Sequence, residues 1–196
     1  TAAPAAIARP APVVTTPYGK LRGAHDRGTL AFKGIPYGAD TTAYRFRRAP
    51  SLAPWRGVRE ATAFGPACPQ TRAEEPGGEN CLNLNLGTPG ADAARRPVMV
   101  YFHGGEYSHG SGNAPNTDGA RLARRQDVVV VTVSHRLAAL GHLYLSGMPA
   151  SGNIGLLDLV LALEWVRDSI GAFGGDPGNV TVFGQSGGGA KIATLM

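Results

Sequence analysis

The chain has 196 residues, 43% of them hydrophobic and 17% charged, which is enough apolar material for one globular domain. Its formal net charge of +5 comes mostly from scattered arginines, without the runs of like charge or interleaved aromatic residues that would indicate a nucleic-acid partner. No apolar run reaches the ~20 residues of a membrane-spanning helix, and the first residues do not show the charged region and following apolar region of a signal peptide.

The first third of the chain predicts β-structure after a short lead. Residues 1–12 are rich in Ala and Pro and lack periodicity, which is typical of a flexible segment left after signal cleavage. Two β-prone runs, 13–23 and 29–38, flank the sequence HDRG and predict an N-terminal β-hairpin. Residues 82–86 alternate leucine with asparagine, as in a half-exposed strand.

The middle of the chain predicts strands of another kind. The runs PVMVYFHGG (97–105) and DVVVVTVSHR (127–136) are nearly continuous in β-branched and apolar residues, the pattern of strands buried on both faces. Residues 118–126 between them can form a short helix with Asp118 near its N-terminus.

A longer helix is predicted over about 154–173, where apolar residues recur at helical spacing until two glycines end it. The run VTVF (180–183) then predicts a third buried strand. Strands that alternate with helices indicate an α/β fold with a central parallel or mixed sheet covered by helices.

A serine among four glycines follows this strand, in GQSGGGAK (184–191). Residues 184–188 fit the G-x-S-x-G nucleophile elbow, in which the serine occupies a strained turn between a strand and a helix. A purely structural glycine-rich turn is the alternative. The buried strand before Ser186 and the segment able to start a helix after it favour a nucleophile.

A second glycine-rich turn, His103-Gly104-Gly105-Glu106, follows the strand that ends near Phe102. Backbone N–H groups in such a turn can point to the same place above the sheet as Ser186 and form an oxyanion hole. An ordinary turn at the end of a strand is the alternative, and the pairing with the elbow favours the oxyanion hole.

Cys68 and Cys81 enclose a loop that contains proline and two glycines, which could bring the two sulfurs together. A bond between them would indicate an oxidising compartment. Two reduced cysteines in a cytosolic protein are the alternative.

Eight segments together resemble the N-terminal part of a type-B carboxylesterase, in the α/β-hydrolase family that also contains the cholinesterases. They are FKGIPYG (32–38), RFRRAP (45–50), PWRGV (54–58), GENCLNLN (78–85), VYFHGG (100–105), VTVSHRLAALG (131–141), GLLDLVLALEWVRDSI (155–170) and FGGDPGNVTVFGQSGGG (173–189). The last segment resembles the active-site signature of the family at every fixed position.

The resemblance implies that residues 13–196 are the N-terminal part of a single α/β-hydrolase domain. That part would contain a central, mostly parallel sheet flanked by helices, with an N-terminal β-hairpin. Ser186 would be the nucleophile, and the N–H groups of Gly105, Glu106 and Gly187 would bind the oxyanion.

The same resemblance implies a disulfide between Cys68 and Cys81 and a structural ion pair between Arg45 and Glu79 beside it. With the Ala/Pro-rich lead, the disulfide leads us to expect a secreted or periplasmic protein.

This sequence departs from the family pattern at several positions. Glu106 stands where the family usually has a third glycine, and its carboxylate would repel an oxyanion if it faced the hole. The usual acidic pair before the second cysteine reads Glu79-Asn80. The loop between the cysteines has no aromatic residue for cation–π contact with a quaternary ammonium, so a choline ester is not the expected substrate.

Acyl transfer through serine requires a histidine base and an orienting carboxylate. In α/β-hydrolases both follow the serine along the chain, but the residues after Ser186 include no Asp, Glu or His. We therefore expect the C-terminal remainder of the domain, in the same precursor or as a second chain, to supply both groups. This chain alone is then expected to be inactive.

The five histidines of this chain and two acidic residues of the long helix have other predicted roles. His103 would support the oxyanion turn by packing or hydrogen bonding, and His135 replaces an aromatic residue usual in the family. The remaining assignments are His25 to the hairpin loop, His109 and His142 to loops or walls, and Asp158 and Glu164 to solvated or capping positions.

The predicted function is hydrolysis of small carboxylic esters through an acyl-enzyme on Ser186. The alternatives are hydrolysis of amides, carbamates or thioesters by the same groups, and a non-catalytic, cholinesterase-like binding protein. No cofactor is expected. The histidines and cysteines lack the spacing of metal ligands, and the glycines near Ser186 lack the G-K-[ST] of a phosphate-binding loop.

Overall fold

The computed structural model describes residues 9–72 and 76–196. Most of the predicted lead segment, 1–8, lies outside these residues, and residues 9–12 contain no helix or strand. Among the described residues, no helix combines the length and apolar character needed to cross a membrane.

The described residues form nine strands and four α-helices with short 3₁₀ turns. The strands are β1 (Val13–Thr16), β2 (Gly19–Arg22), β3 (Ala24–Asp26), β4 (Thr29–Pro36), β5 (Val58–Glu60), β6 (Asn83–Thr88), β7 (Arg96–Phe102), β8 (Val129–Val133) and β9 (Gly175–Gly184). The helices are α1 (Ala120–Gln126), α2 (Ala138–His142), α3 (Ile154–Ser169) and α4 (Gly187–Leu195).

The main sheet has six strands in the order β3-β4-β6-β8-β7-β9. The pairs β3–β4, β4–β6 and β6–β8 are antiparallel, whereas β8–β7 and β7–β9 are parallel. The parallel half therefore contains the two strands that lead into the predicted oxyanion turn and the predicted elbow. A smaller sheet has the order β1-β2-β5.

Two helices cover opposite faces of the main sheet. Inward residues of α3 pack with Val98, Val100 and Phe102 of β7 in one large apolar core. On the other face, α1 packs with Val130 and Met99 in a smaller cluster. Asp118 accepts a hydrogen bond from the N–H of Ala120 at 2.9 Å, as expected of an acidic residue before a helix. The sheet is thus held between helices, as the α/β prediction requires.

The predicted N-terminal hairpin is present, but the first run divides into two strands. β3 and β4 pair across the HDRG turn, while β1 and β2 form a separate hairpin at residues 17 and 18. Thr16 explains this break, because its hydroxyl accepts hydrogen bonds from the N–H groups of Tyr18 and Gly19 and closes a tight turn.

The expectation of a half-exposed strand at 82–86 is wrong, because β6 lies in the middle of the sheet and Asn83 and Asn85 are buried. Their amide groups bond to backbone groups of neighbouring segments. Asn85 accepts from the N–H of Gly34 at 2.9 Å and donates to the carbonyl of Gly112 at 3.0 Å. Asn83 donates to the carbonyl of Pro66 at 2.9 Å. The asparagines therefore tie loops to the sheet.

The predictions for two other strands need correction. Val180 and Phe183 of β9 are only half-buried, because β9 is an edge strand that pairs with β7 alone in the described chain. In β7, Met99 and Tyr101 on the α1 side are half-buried as well. Of these three predicted strands, β8 is the one whose described residues are buried along its whole length.

Asp158 is a buried residue of α3 and does not occupy the solvated or capping position that was predicted. Its carboxylate accepts from Arg136 Nε at 2.8 Å and from Arg136 Nη2 at 2.6 Å. Arg136 also donates to the carbonyls of Tyr44 and Arg47 at 2.8 and 2.9 Å. This buried pair joins α3, the end of β8 and the 41–47 segment, and its partners satisfy the desolvated charges.

Candidate active site

The two predicted parts of the site lie at the same edge of the sheet. β7 and β9 run parallel, and Phe102 at the end of β7 pairs with Gly184 at the end of β9. The chain continues from Phe102 into the turn 103–107 and from Gly184 into Ser186. The carboxyl ends of parallel strands thus bring the turn and the serine side by side, where α/β folds generally place their ligand sites.

Ser186 occupies a tight bend between β9 and α4. Its φ is +53° and its ψ is −123°, a strained region for a residue with a side chain, and its surface is exposed. The adjoining glycines are sterically required. A Cβ on Gly188 would lie 2.0 Å from the carbonyl oxygen of Phe102, and one on Gly184 would lie 2.7 Å from the same atom. The glycines let α4 start directly against β7.

The turn after β7 has an unusual backbone. Gly105, Glu106 and Tyr107 have φ values of +91°, +53° and +62°, so two residues with side chains adopt left-handed conformations in succession. Two backbone hydrogen bonds hold this segment. The carbonyl of Gly105 accepts from Ser108 N at 2.9 Å, and that of Tyr107 accepts from Ala138 N at 2.8 Å.

The turn contacts the elbow directly. A Cβ on Gly187 would lie 3.3 Å from Glu106 N, and one on Gly104 would lie 3.4 Å from Ser186 Cβ. Among the described backbone bonds outside helices and strands, Gly105, Glu106 and Gly187 donate none. The N–H of Gly187 is also among the first of α4, which lack partners within a helix. The arrangement therefore offers N–H donors beside an exposed serine hydroxyl.

The loop before β6 braces the far side of the turn. Gln70 accepts from the N–H of Gly110 at 2.8 Å and donates to the carbonyl of Gly110 at 3.2 Å. Cys68 and Cys81 form a disulfide at the base of this loop, and Gln70 also donates to the carbonyl of Cys68 at 3.1 Å. The disulfide is therefore linked through one amide side chain to Gly110, three residues after the turn.

Arg45 and Glu79 form an ion pair near the same disulfide, with Arg45 Nε 2.6 Å from Glu79 Oε2. The hydrogen bond from Arg45 lowers the pKa of the Glu79 carboxyl. Arg45 is 57% exposed, so water screens the pair and its contribution to stability is small.

Buried imidazoles lie beneath the turn. The rings of His103 and His135 stack with centroids 4.8 Å apart, and the ring of His142 contacts Tyr107 edge-on at 5.0 Å. Burial lowers the pKa of His103 to about 3 and holds that of His135 well below its usual range. His103 and His135 are therefore neutral at ordinary pH and pack beneath the turn.

A lysine completes this cluster. Lys191 of α4 is fully buried, and its Nζ donates to the carbonyl oxygen of His103 at 2.8 Å. Burial lowers the pKa of Lys191 to about 8. No group of three or more His, Cys, Asp or Glu side chains among residues 9–72 and 76–196 is arranged to hold a metal ion.

A sequence profile of the Carboxylesterase family matches residues 10–196. The chain belongs to this family. Because the match runs through the strands, the turn and the elbow described above, the resemblance to carboxylesterases inferred from motifs is confirmed.

Individual relatives support the same family assignment. The chain is 44% identical over 195 residues to the para-nitrobenzyl esterase of Bacillus subtilis (strain 168), covering 94% of this chain and 40% of that protein. It is 42% identical over 196 residues to the phenmedipham hydrolase of Pseudarthrobacter oxydans, covering 94% and 39%.

The crystal structure of the Geobacillus stearothermophilus carboxylesterase EST55 superposes with a TM-score of 0.89 at 44% identity, covering 93% of this chain and 39% of that one. The α/β-hydrolase fold is therefore confirmed for the N-terminal portion. The chain spans about 40% of the length of the curated relatives that it matches.

No hydrogen bond within the described part of this chain joins the Ser186 hydroxyl to another side chain. His103 and His135 each direct Nδ1 to a backbone carbonyl, at 2.8 and 2.9 Å, and both are buried. Glu164 is half-exposed and lies 3.5 Å from Arg48. None of these three side chains therefore bonds to Ser186 within the described residues.

Sequence reasoning missed Lys191 and Gln70. A lysine in a helix is normally exposed, and nothing in its spacing distinguishes Lys191 from a surface residue. Gln70 lies in a loop without periodicity. Both act through backbone carbonyls that only the folded turn brings within reach.

Proposed function

We propose that the protein containing this chain hydrolyses carboxylic esters through an acyl-enzyme on Ser186. The observation that carries the proposal is the exposed, strained position of Ser186, directly against a left-handed turn in which Gly105 and Glu106 donate no backbone hydrogen bond among the described residues. Strain of this kind costs about 1–3 kcal/mol and persists where the surrounding structure enforces it, typically at functional sites.

In the proposed reaction, Ser186 Oγ attacks the acyl carbon while a base takes its proton. The carbonyl oxygen becomes an oxyanion, which the N–H groups of Gly105, Glu106 and Gly187 bind. The bond to the alcohol oxygen then breaks, and the alcohol leaves with the proton that the base held. Water, activated by the same base, hydrolyses the acyl-enzyme, releasing the acid and regenerating the serine.

The base and its orienting carboxylate are proposed to lie outside this sequence, in the C-terminal remainder of the domain or in a second chain. Two observations support this. The buried, neutral histidines beneath the turn are committed to supporting it. The curated relatives are more than twice as long as this chain, since it covers only 40% of one and 39% of the other.

A secreted or periplasmic location is proposed as well, because Cys68 and Cys81 are bonded to each other and such bonds persist in oxidising compartments. Mass analysis of alkylated protein taken directly from its native compartment tests this. Alkylation of both thiols there would contradict it.

The test of function is the initial rate with p-nitrophenyl acetate and with the matched p-nitroanilide. The wild-type full-length protein is compared with the same protein carrying Ser186→Ala and with a control, Ser51→Ala, at an exposed serine. We expect a faster rate on the ester, a loss of about 10⁴–10⁶-fold in kcat for Ser186→Ala, and no loss for the control.

A higher rate on the anilide would favour an amide hydrolase. Equal rates for wild type and Ser186→Ala on every substrate would favour a binding protein. The 196-residue chain alone is expected to show no turnover, and turnover by it would contradict the proposed external base.

A further inference from the structure

Lys191 is an unusual residue for the second turn of α4. Its side chain is fully buried. Among the described residues it forms no ion pair, because every salt bridge there joins an arginine or Lys33 to an acid. A buried ammonium without a carboxylate is costly. A fold that keeps such a charge must use it for something other than ion pairing.

The contacts of Lys191 reach both ends of the turn after β7. Nζ donates to the carbonyl oxygen of His103, the first residue of the turn, at 2.8 Å. The same atom lies 5.3 Å from the ring centroid of Tyr107, the last residue, within cation–π range. One side chain from the helix that begins at Ser186 therefore spans the segment that contains Gly105 and Glu106.

This segment needs such support. Glu106 and Tyr107 both have left-handed backbone conformations, at φ +53° and +62°. Residues other than glycine leave this conformation unless neighbouring contacts hold them in it. The hydrogen bonds already described fix the carbonyls of Gly105 and Tyr107. The His103 carbonyl, which precedes Gly104, is held by Lys191.

Within the described part of the chain, the side chains around Lys191 in this cluster are histidines whose pKa burial lowers. His103 and His135 stack on each other, and burial keeps both rings neutral at ordinary pH. His142 lies against the outer side of Tyr107, and burial lowers its pKa as well. The ammonium of Lys191 therefore lies among neutral rings, against the His103 carbonyl and the Tyr107 ring.

We propose that Lys191 is a positioning residue that holds the 103–107 turn in its oxyanion-binding shape, linking the helix of the nucleophile to the oxyanion hole. This inference rests on the proposed function, because it assigns the turn to oxyanion binding. It concerns a side chain that does not touch substrate and acts through the backbone of His103.

The test compares the purified full-length protein with Lys191→Met, which matches the length of the stem but cannot donate, and with Lys191→Arg. Lys20→Met, at an exposed lysine of β2, is the matched control. The readouts are kcat and KM on p-nitrophenyl acetate, the melting temperature, and inhibition by a trifluoromethyl ketone. That ketone forms a tetrahedral oxyanion adduct with an active-site serine.

We expect Lys191→Met to keep its melting temperature or raise it, because an unpaired buried charge is removed. Its kcat should fall about 10–100-fold with little change in KM, since a small displacement of positioned groups has effects of this size. Inhibition by the ketone should weaken by the same factor. Lys191→Arg, which retains donors, should recover part of the loss, and Lys20→Met should match wild type.

A folded Lys191→Met with wild-type kcat would overturn the inference, as would a loss of kcat without weaker binding of the ketone. If Lys191→Met does not fold, Lys191→Gln replaces it, because its neutral amide is too short to reach His103. Failure of the proposed function is distinguishable, since wild type and Ser186→Ala would then hydrolyse the ester at the same rate.

Discussion

Replacement of Gly188 by alanine tests the packing of the elbow. A Cβ on Gly188 would lie 2.0 Å from the carbonyl oxygen of Phe102 and 3.2 Å from that of His103. Ordinary contact requires about 3.5 Å between non-bonded heavy atoms, so the start of α4 would have to move more than about 1 Å away from β7. A displacement of that size can cost roughly 10²-fold in rate.

Gly189 provides the matched control. A Cβ there would meet only the carbonyl oxygen of Gly184, at 3.9 Å, and the residue lies in the first turn of the same helix. Alanine is preferred over glycine inside a helix by about 0.5–1 kcal/mol. Gly189→Ala is therefore expected to preserve activity and to raise the melting temperature slightly.

The assay measures kcat on p-nitrophenyl acetate and thermal unfolding for both variants beside wild type. We expect Gly188→Ala to lose at least about 10²-fold in kcat, and Gly189→Ala to stay within about twofold of wild type. Full activity in Gly188→Ala would refute the reasoning. The close approach of α4 to β7 would then be irrelevant to the position of the nucleophile.

Three further perturbations are expected to act on stability. Asp158→Asn leaves the buried Arg136 guanidinium without its carboxylate and should lower the free energy of unfolding by about 3–5 kcal/mol in urea titrations; a loss below about 1 kcal/mol would contradict the buried pair. Replacing Cys68 and Cys81 by alanine should cost about 3 kcal/mol through loss of a short closed loop; unchanged unfolding would contradict that contribution. Burial holds the pKa of His135 well below 6.5, so the ring stays neutral in the folded protein as the pH falls below that value. The unfolded chain binds a proton there, and the free energy of unfolding therefore decreases as the pH falls below 6.5, whereas above pH 6.5 this group has no such effect. His135→Tyr should therefore reduce the acid destabilisation by up to about 1.4 kcal/mol per pH unit, and an identical pH dependence would argue against a neutral, buried ring.

The sequence was sufficient for the parts of the site that depend on local backbone chemistry. Ser186 was placed in a bend because glycines surround it after an apolar strand, and the bend has the left-handed φ that such a turn requires. The turn at Gly105 was found for the same reason. Glycine positions indicate local backbone conformation, so predictions based on them depend little on distant parts of the chain.

Burial in the sheet was harder to predict, because it depends on neighbours that are distant along the chain. Asn83 and Asn85 have the alternation of a half-exposed strand, yet they are buried since loops from elsewhere bond their amides. The apolar run at 180–183 predicts a covered strand, but β9 has a partner on only one side within the described residues.

Ionic contacts inside the fold were the least predictable. Asp158 and Lys191 have no local feature that separates them from surface charges, and both are buried. Each is explained only by a distant partner, Arg136 for the carboxylate and the His103 carbonyl for the ammonium. The contact between Lys191 and the turn is therefore one that no motif encodes.

The most direct test of the central proposal is labelling of the purified protein with a tagged fluorophosphonate, mapped by mass spectrometry on every polypeptide present. Activated serine nucleophiles react covalently with such reagents. We expect stoichiometric labelling at Ser186, and none in Ser186→Ala or in protein first treated with unfolding concentrations of urea. A folded, complete protein that remains unlabelled at Ser186, or that is labelled equally in Ser186→Ala, would contradict the assignment of Ser186 as the nucleophile.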